Sequence, residues 1–425
     1  MQTKTRLLVL SFLAGCSAFA VDSPNWPQWR GPNADGLSPA ANLPVTWDAA
    51  KPLWKIALPG KGCSTPIVWE NRIYVTAPAG GKDALLALDA EGKQLWQTVL
   101  GRGENAGRHR NGSGSNPSPV TDGKLLFVSF KSGQFGALNF DGTIRWQMDL
   151  VEKYGPIRLF WDYGTSPVLT EKYVVVARMH EGDSWLAAFD KQTGELRWKT
   201  PRNYRVPQEI DNGYTTPLVI QHQGREAILT WGAQHLTVHD AADGKLIWTC
   251  GNFNPSNDAL WPAVASPVVV GDIAAVCFGR ADQGRPRFHG VKLSGNGDVT
   301  AKNHLWVRED TGAFVPTPAV YQGRIYLLTD RGQIDCIEPE TGKSVWTATL
   351  PRSSSNFYTS PLIAGGKMYM AREDGKIYVA QIDGGFQLLA ESKVDDRVIA
   401  SIVPLGSRLL IRGESNLYCF AAPER

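Results

Sequence analysis

The chain has 425 residues, 43% of them hydrophobic and 20% charged, with a formal net charge of +3. That length supports a sizeable core, and the polarity excludes a bundle of membrane-spanning helices. There is no basic block or acidic tail, so charge points neither to nucleic acid nor to an anionic surface.

Residues 1–20 read as a targeting segment. Lys4 and Arg6 precede an apolar stretch, Leu7 to Gly15, that is too short to cross a bilayer. Two processing signals overlap here. Ala18-Phe19-Ala20 fits a small-x-small cleavage site, and Leu13-Ala14-Gly15-Cys16 fits a lipobox that would place a lipid on Cys16. Either one sends the chain out of the cytoplasm, to the periplasm, the outer membrane or the medium. An arm follows over 21–45, rich in Pro, Gly and Asn. It is expected to lie across the outside of the body, pinned by Trp26 and Trp29.

From residue 46 onward two markers recur. The first is Ser or Thr followed by Pro, opening an apolar run: Thr65-Pro66, Ser118-Pro119, Ser166-Pro167, Thr216-Pro217, Ser266-Pro267, Thr317-Pro318 and Ser360-Pro361. Ser401-Ile402 reads as an eighth start without its proline. Alternating runs such as 71–77, 124–130, 324–330 and 367–373 follow the starts and carry the period-two signature of strands. The second marker is a glycine four residues before a tryptophan: Gly92/Trp96, Gly142/Trp146, Gly194/Trp198, Gly244/Trp248 and Gly342/Trp346. Asp89, Asn139, Asp190, Asp240 or Glu338 stands just upstream, where a turn needs a side-chain acceptor and then a positive φ.

Each unit therefore reads as four strands, repeated about every 40–50 residues, which is a propeller blade. Eight starts predict an all-β, eight-bladed β-propeller over 46–425. The last unit lacks a tryptophan strand, and a spare one, 52–59 with Trp54, precedes the first start. The N-terminal strand is thus expected to complete the C-terminal blade and close the ring. Blade 5 carries an insertion before Trp306, and blade 7 has no tryptophan in its closing strand. Trp54, Trp96, Trp146, Trp198, Trp248, Trp306 and Trp346 are read as blade-packing residues.

The Gly-x-x-x-Trp set resembles the pyrroloquinoline-quinone (PQQ) repeat family, whose consensus is Ala-x-Asp-x-x-Thr-Gly-x-x-x-Trp. Thr193-Gly194 and Thr341-Gly342 keep even the threonine. The opening Trp26-Pro27-Gln28-Trp29-Arg30-Gly31-Pro32 resembles the start of secreted bacterial PQQ-like propellers. The resemblance implies one of two functions. Quinoprotein dehydrogenases oxidise alcohols or sugars with PQQ and calcium. BamB-type lipoproteins are non-catalytic scaffolds of outer-membrane protein assembly.

The chemistry favours the second. No adjacent cysteine pair, Asp-x-Asp-x-Asp-Gly loop, CxxC or HExxH spacing occurs. Beyond Cys16 the five cysteines Cys63, Cys250, Cys277, Cys336 and Cys419 cannot all pair, and Cys336 and Cys419, at matching places in two repeats, read as small core residues. The leading expectation is an envelope scaffold holding a protein or peptide. A PQQ-and-calcium oxidoreductase and a carbohydrate-binding propeller are the alternatives.

The loops entering each innermost strand should meet at one mouth of the axial channel. They bring Lys61, His109, Arg110, Asn111 and Asn116, then Arg158, Trp161, Asp162 and Tyr163, then Arg202, Asp211 and Tyr214. Trp261, Phe314, Tyr358, Asp396 and Arg397 complete the set. Aromatic rings mixed with Arg and Asp are the composition of a sugar, quinone or peptide site.

Overall fold

The computed structural model describes residues 25–40, 42–48, 50–101, 107 and 109–422. The targeting segment, with Cys16 and both processing signals, lies outside the described residues.

Eight antiparallel sheets follow one another along the chain. Blade 1 is typical, with Ile67–Trp69 innermost, then Arg72–Ala79, Lys82–Leu88 and Gln94–Leu100 at the rim. The second and third strands are buried on both faces because blades flank them on both sides, whereas the rim strands alternate. Innermost strands begin one residue after the proline, which has no N–H to offer a ladder. The expected closure is present. Trp54–Ala57 pairs antiparallel with Asn416–Phe420 and supplies the rim strand of blade 8. Among the described residues helix is confined to short pieces such as Leu150–Tyr154, which Asp149 caps by accepting from the N–H groups of Val151 and Glu152.

A belt of hydrogen bonds joins the inner ends of the blades. The N–H of Thr65 donates to the hydroxyl of Ser118 (2.9 Å), Ser118 to Ser166 (2.9 Å), Ser166 to Thr216 (3.1 Å) and Thr216 to Ser266 (2.9 Å). Ser266 then donates to Thr317 (2.9 Å), Thr317 to Ser360 (3.0 Å), Ser360 to Ser401 (3.1 Å), and Ser401 returns to Thr65 (3.2 Å). The proline after seven of these residues holds them extended, so each N–H aims at the neighbouring blade. Ser401 keeps its place in the belt without the proline.

At the rim the tryptophans link blades in the same sense. The ring of Trp96 lies where a Cβ on Gly142 of the next blade would sit, 2.7 Å away, and its Nε1–H donates to the Phe140 carbonyl at 3.0 Å. Trp54, Trp146, Trp198 and Trp306 repeat this on Gly92, Gly194, Gly244 and Gly342, donating to Ala90, Lys191, Ala241 and Pro339. A β-bulge just before the tryptophan, as between Ile144 and Trp146, turns the ring towards the neighbour. Trp248 and Trp346 depart from the pattern. Trp248 is fully buried beside the blade 5 insertion, whose Gly297–Asp298 adds a parallel strand to the rim of blade 4. Trp346 meets Phe386 at 6.1 Å instead of a glycine.

The arm does not follow the outside of the ring. The carbonyl of Pro27 accepts from Thr121 N–H of blade 2, and three residues later the guanidinium of Arg30 donates to the carbonyls of Thr317 and Pro318 of blade 6. Blades 2 and 6 are opposite, so the chain crosses the axis. Leu37–Ser38 then pairs parallel with Leu362–Ala364, the inner strand of blade 7. The crossing is favoured because the inner strands present free edges to the axis on that side, where Val68, Thr121, Val320 and Ile363 bond the arm, and Trp26 is buried against Val68 and Gly31.

Candidate functional site

The loops before the innermost strands meet at the opposite end of the axis, as expected, and surround a cavity of about 400 Å³. Its waist is the Ser/Thr belt, and the half-buried ring of Trp29 closes it from the arm side. The space is therefore a blind cup and not a through-channel.

Of the residues expected at the mouth, His109, Asn111, Asn116, Trp161, Asp162, Tyr214, Phe314 and Tyr358 line the cup. Trp161 stands edge-on to Phe314, with centroids 5.6 Å apart, and its backbone N–H donates to the Tyr214 hydroxyl at 2.8 Å. Phe314 is held by Asp330, whose carboxylate accepts from the N–H groups of Phe314 (2.7 Å) and Val315 (3.1 Å). Asp162 is buried and bound, accepting from Lys131 Nζ at 2.8 Å and from His109 N–H at 3.2 Å. Asn116 caps its own loop by accepting from Ser113 N–H at 2.8 Å.

Others stand elsewhere. Tyr163 is buried, and its hydroxyl donates to the Ala177 carbonyl at 3.1 Å, a packing role. Trp261 lines a separate cleft with Arg287, His289 and His304, with the Arg285 guanidinium 4.9 Å from its ring. Arg202 is buried within blade 4, donating to the carbonyls of Gly232 (3.1 Å) and His235 (2.7 Å), and burial draws its pKa down to about 10. Arg158 is exposed, and Asp211 accepts from the Asn212 side chain at 3.1 Å. Asp396 accepts from the N–H groups of Arg397 (2.8 Å) and Asn416 (3.0 Å) and so closes a turn.

Lys61, Arg110 and Arg397 form a strap at the rim. Arg397 donates to the Arg110 carbonyl at 2.9 Å, to the Asn111 side chain, and to Glu373 and Glu414. Lys61 lies 3.4 Å from Glu414, and Arg110 is 4.0 Å from Glu373. The loop between blades 1 and 2 is thereby tied to blades 7 and 8. Arg397 has its hydrogen bonds filled by protein, so it is a fastening and not a free cation awaiting a ligand.

Sequence reasoning missed several lining residues, among them Arg280, Asp282, Asn356, Cys63 and Trp29. Arg280 ends the second strand of blade 5, pairs with both oxygens of Asp282 (2.9 and 2.8 Å) and lies 4.7 Å over the Phe314 ring. Cys63 also faces the cup. Its thiol donates to the Asn111 carbonyl at 3.4 Å, and burial pushes its pKa up to about 11. Trp29, expected on the outside of the body, lines the cup instead. The remaining four cysteines are buried, and all five are free.

Burial raises the Asp330 carboxyl to about 6, against the stabilising N–H groups of Phe314 and Val315. Between the ordinary carboxylate pKa and about 6 the folded chain holds a proton that the unfolded chain has lost. This group's contribution to stability therefore falls as pH rises through that window. The melting temperature of the native chain minus that of Asp330→Asn should be higher at pH 5 than at pH 7, because only the native chain gains in acid. A pH-independent difference would contradict the assignment.

A tri-anionic quinone with calcium needs cations, an aspartate base and oxygen ligands. Among the described lining residues the one guanidinium, Arg280, is already doubly bound by Asp282, and Asp162 by Lys131. No group of three or more His, Cys, Asp or Glu side chains stands ready for a metal among the described residues. The donor set does not fit that cofactor.

Residues 41–153, 136–287 and 291–388 match the family described as outer membrane protein assembly factor BamB. The chain belongs to that family. BamB of Yersinia pestis is 23% identical over 446 residues, spanning 99% of this chain and 100% of the relative. The crystal structure of BamB from Moraxella catarrhalis superposes with a TM-score of 0.62 at 14% identity, over 88% of this chain and 98% of that one. A europium-containing methanol dehydrogenase superposes with a TM-score of 0.72 at 11% identity, over 94% of this chain and 98% of that one. At such identities the structures share the fold alone. The chain is a BamB-like, PQQ-repeat propeller.

Proposed function

We propose that this propeller is a scaffold of the cell envelope that holds a protein partner during outer-membrane protein assembly. It would reach that location by export, with Cys16 as the site of lipid attachment. The family match along the chain carries the reading. Two features support it. The charged lining of the cup is internally paired, which is poor equipment for redox chemistry. The rim of blade 4 has already accepted an added strand, Gly297–Asp298, and strand addition is how open sheet edges take up extended segments. Among the described residues no helix is long and apolar enough to cross a membrane.

Deleting the gene in its host should lower the amount of folded β-barrel protein in the outer membrane. Unchanged barrel levels would refute the proposal. The purified chain titrated with PQQ and calcium should show no dye-linked alcohol or sugar oxidation. Saturable binding with turnover would replace the scaffold by an oxidoreductase.

A further inference from the structure

The cup has a chemistry the scaffold reading does not use. Each hydroxyl of the belt accepts one backbone N–H, and among the described residues none donates its own proton to a protein acceptor. Accepting a bond polarises a hydroxyl and makes it a better donor, so eight donors converge on the axis with nothing in the protein to receive them. Around them stand the partly exposed rings of Trp29, Trp161 and Tyr358 and the amides of Asn111, Asn116 and Asn356. The charges of the wall are spent on each other, Arg280 on Asp282 and Lys131 on Asp162.

We propose that the axial cup binds a neutral saccharide, a mono- or disaccharide unit entering from the mouth. A sugar offers acceptor oxygens around its edge and an apolar C–H face, and the cup presents donors at its waist and aromatic faces on its walls. An ionic ligand is disfavoured because a charge would enter a cavity whose charged side chains are already paired. A through-running peptide is disfavoured because Trp29 and the arm close the far end, and a chain terminus would bring an uncompensated charge. The cavity, about 400 Å³, lies within the range of ~300–1,000 Å³ usual for small-molecule sites. This inference does not depend on the scaffold reading, since a scaffold and a saccharide receptor can share one body.

The test uses the full mature chain with glucose, N-acetylglucosamine, maltose and cellobiose as probes, and benzoate and tetra-alanine as the ionic and peptide arms. Binding is followed by saturation-transfer NMR and tryptophan fluorescence. At least one sugar should bind saturably, and Trp161→Ala and Tyr358→Ala should each weaken it about ten-fold. Both rings are partly exposed, so the melting temperature should hold. The proposal is overturned if none of the four sugars binds at tens of millimolar. It is equally overturned if binding survives both substitutions unchanged, or if benzoate or tetra-alanine binds where the sugars do not.

Discussion

Trp198→Ala is expected to lower the stability of the propeller by about 3–5 kcal/mol, the range for deleting a large buried aromatic. The Trp198 side chain is 8% exposed, and its ring covers Gly244 of the next blade, where a Cβ would come within 2.4 Å. Its Nε1–H donates to Ala241 at 3.1 Å, and removing it leaves that carbonyl without the indole. Gly244→Ala attacks the same contact from the other side. Gly244 sits at φ 74°, where an L side chain costs roughly 1–2 kcal/mol, and the methyl must also displace the indole. In the double variant the methyl has no ring to strike, so the two losses should add to less than their sum in a double-mutant cycle. Chemical denaturation of the four chains reads this directly. Strict additivity would show that ring and glycine do not meet.

That contact marks how far the fold was legible in the sequence. The recurrence of Gly92/Trp96, Gly142/Trp146 and Gly194/Trp198 announces blades because the turn needs a positive φ and the next strand needs a large ring. The spacing hides the partnership. Each glycine receives the tryptophan of the preceding blade, about 45 residues away by the separations of the indole bonds. The Ser/Thr-Pro starts were visible in the same way, while the belt they form links residues that only ring closure brings together.

The mouth was half legible. Position before an innermost strand predicts that a loop arrives there, and it does not say which way a side chain turns. Tyr163 stands three residues before its belt residue Ser166 and Tyr214 two before Thr216, and that one-residue offset sends Tyr163 into the packing between blades while Tyr214 lines the cup. Arg280 was overlooked because it ends a second strand instead of preceding a first. Arg178 and Arg412 end second strands too, and that recurrence was the available signal. Arg30 and Trp29 sit in a segment without strand periodicity, so nothing local showed that the arm would cross the axis.

Ring closure makes the second large effect. The interface between blades 8 and 1 is built like the others. Trp54 lies on Gly92 and donates to Ala90 at 2.9 Å, Arg408 donates to the same carbonyl at 3.1 Å, and Ser401 donates to Thr65 at 3.2 Å. Trp54→Ala should therefore cost about as much as an internal tryptophan, a few kcal/mol, less what its partial exposure already forgoes. Its unfolding should remain one cooperative transition. In an open array the end blade would fray first and show a separate early phase. The ring makes a sharper demand on Trp54→Ala combined with Trp198→Ala. One weakened interface leaves every blade held from its other side. Two of them divide blades 1–3 from blades 4–8, joined then by the belt, by the arm that crosses from blade 2 to blades 6 and 7, by the strap from the loop between blades 1 and 2 to blades 7 and 8, and by what remains of the two weakened interfaces. The double variant should lose more than the sum of the singles although the sites are far apart, where independent sites would simply add. Simple additivity, or a melting midpoint unchanged by Trp54→Ala, would mean that blade 8 is tethered to the ring without closing it.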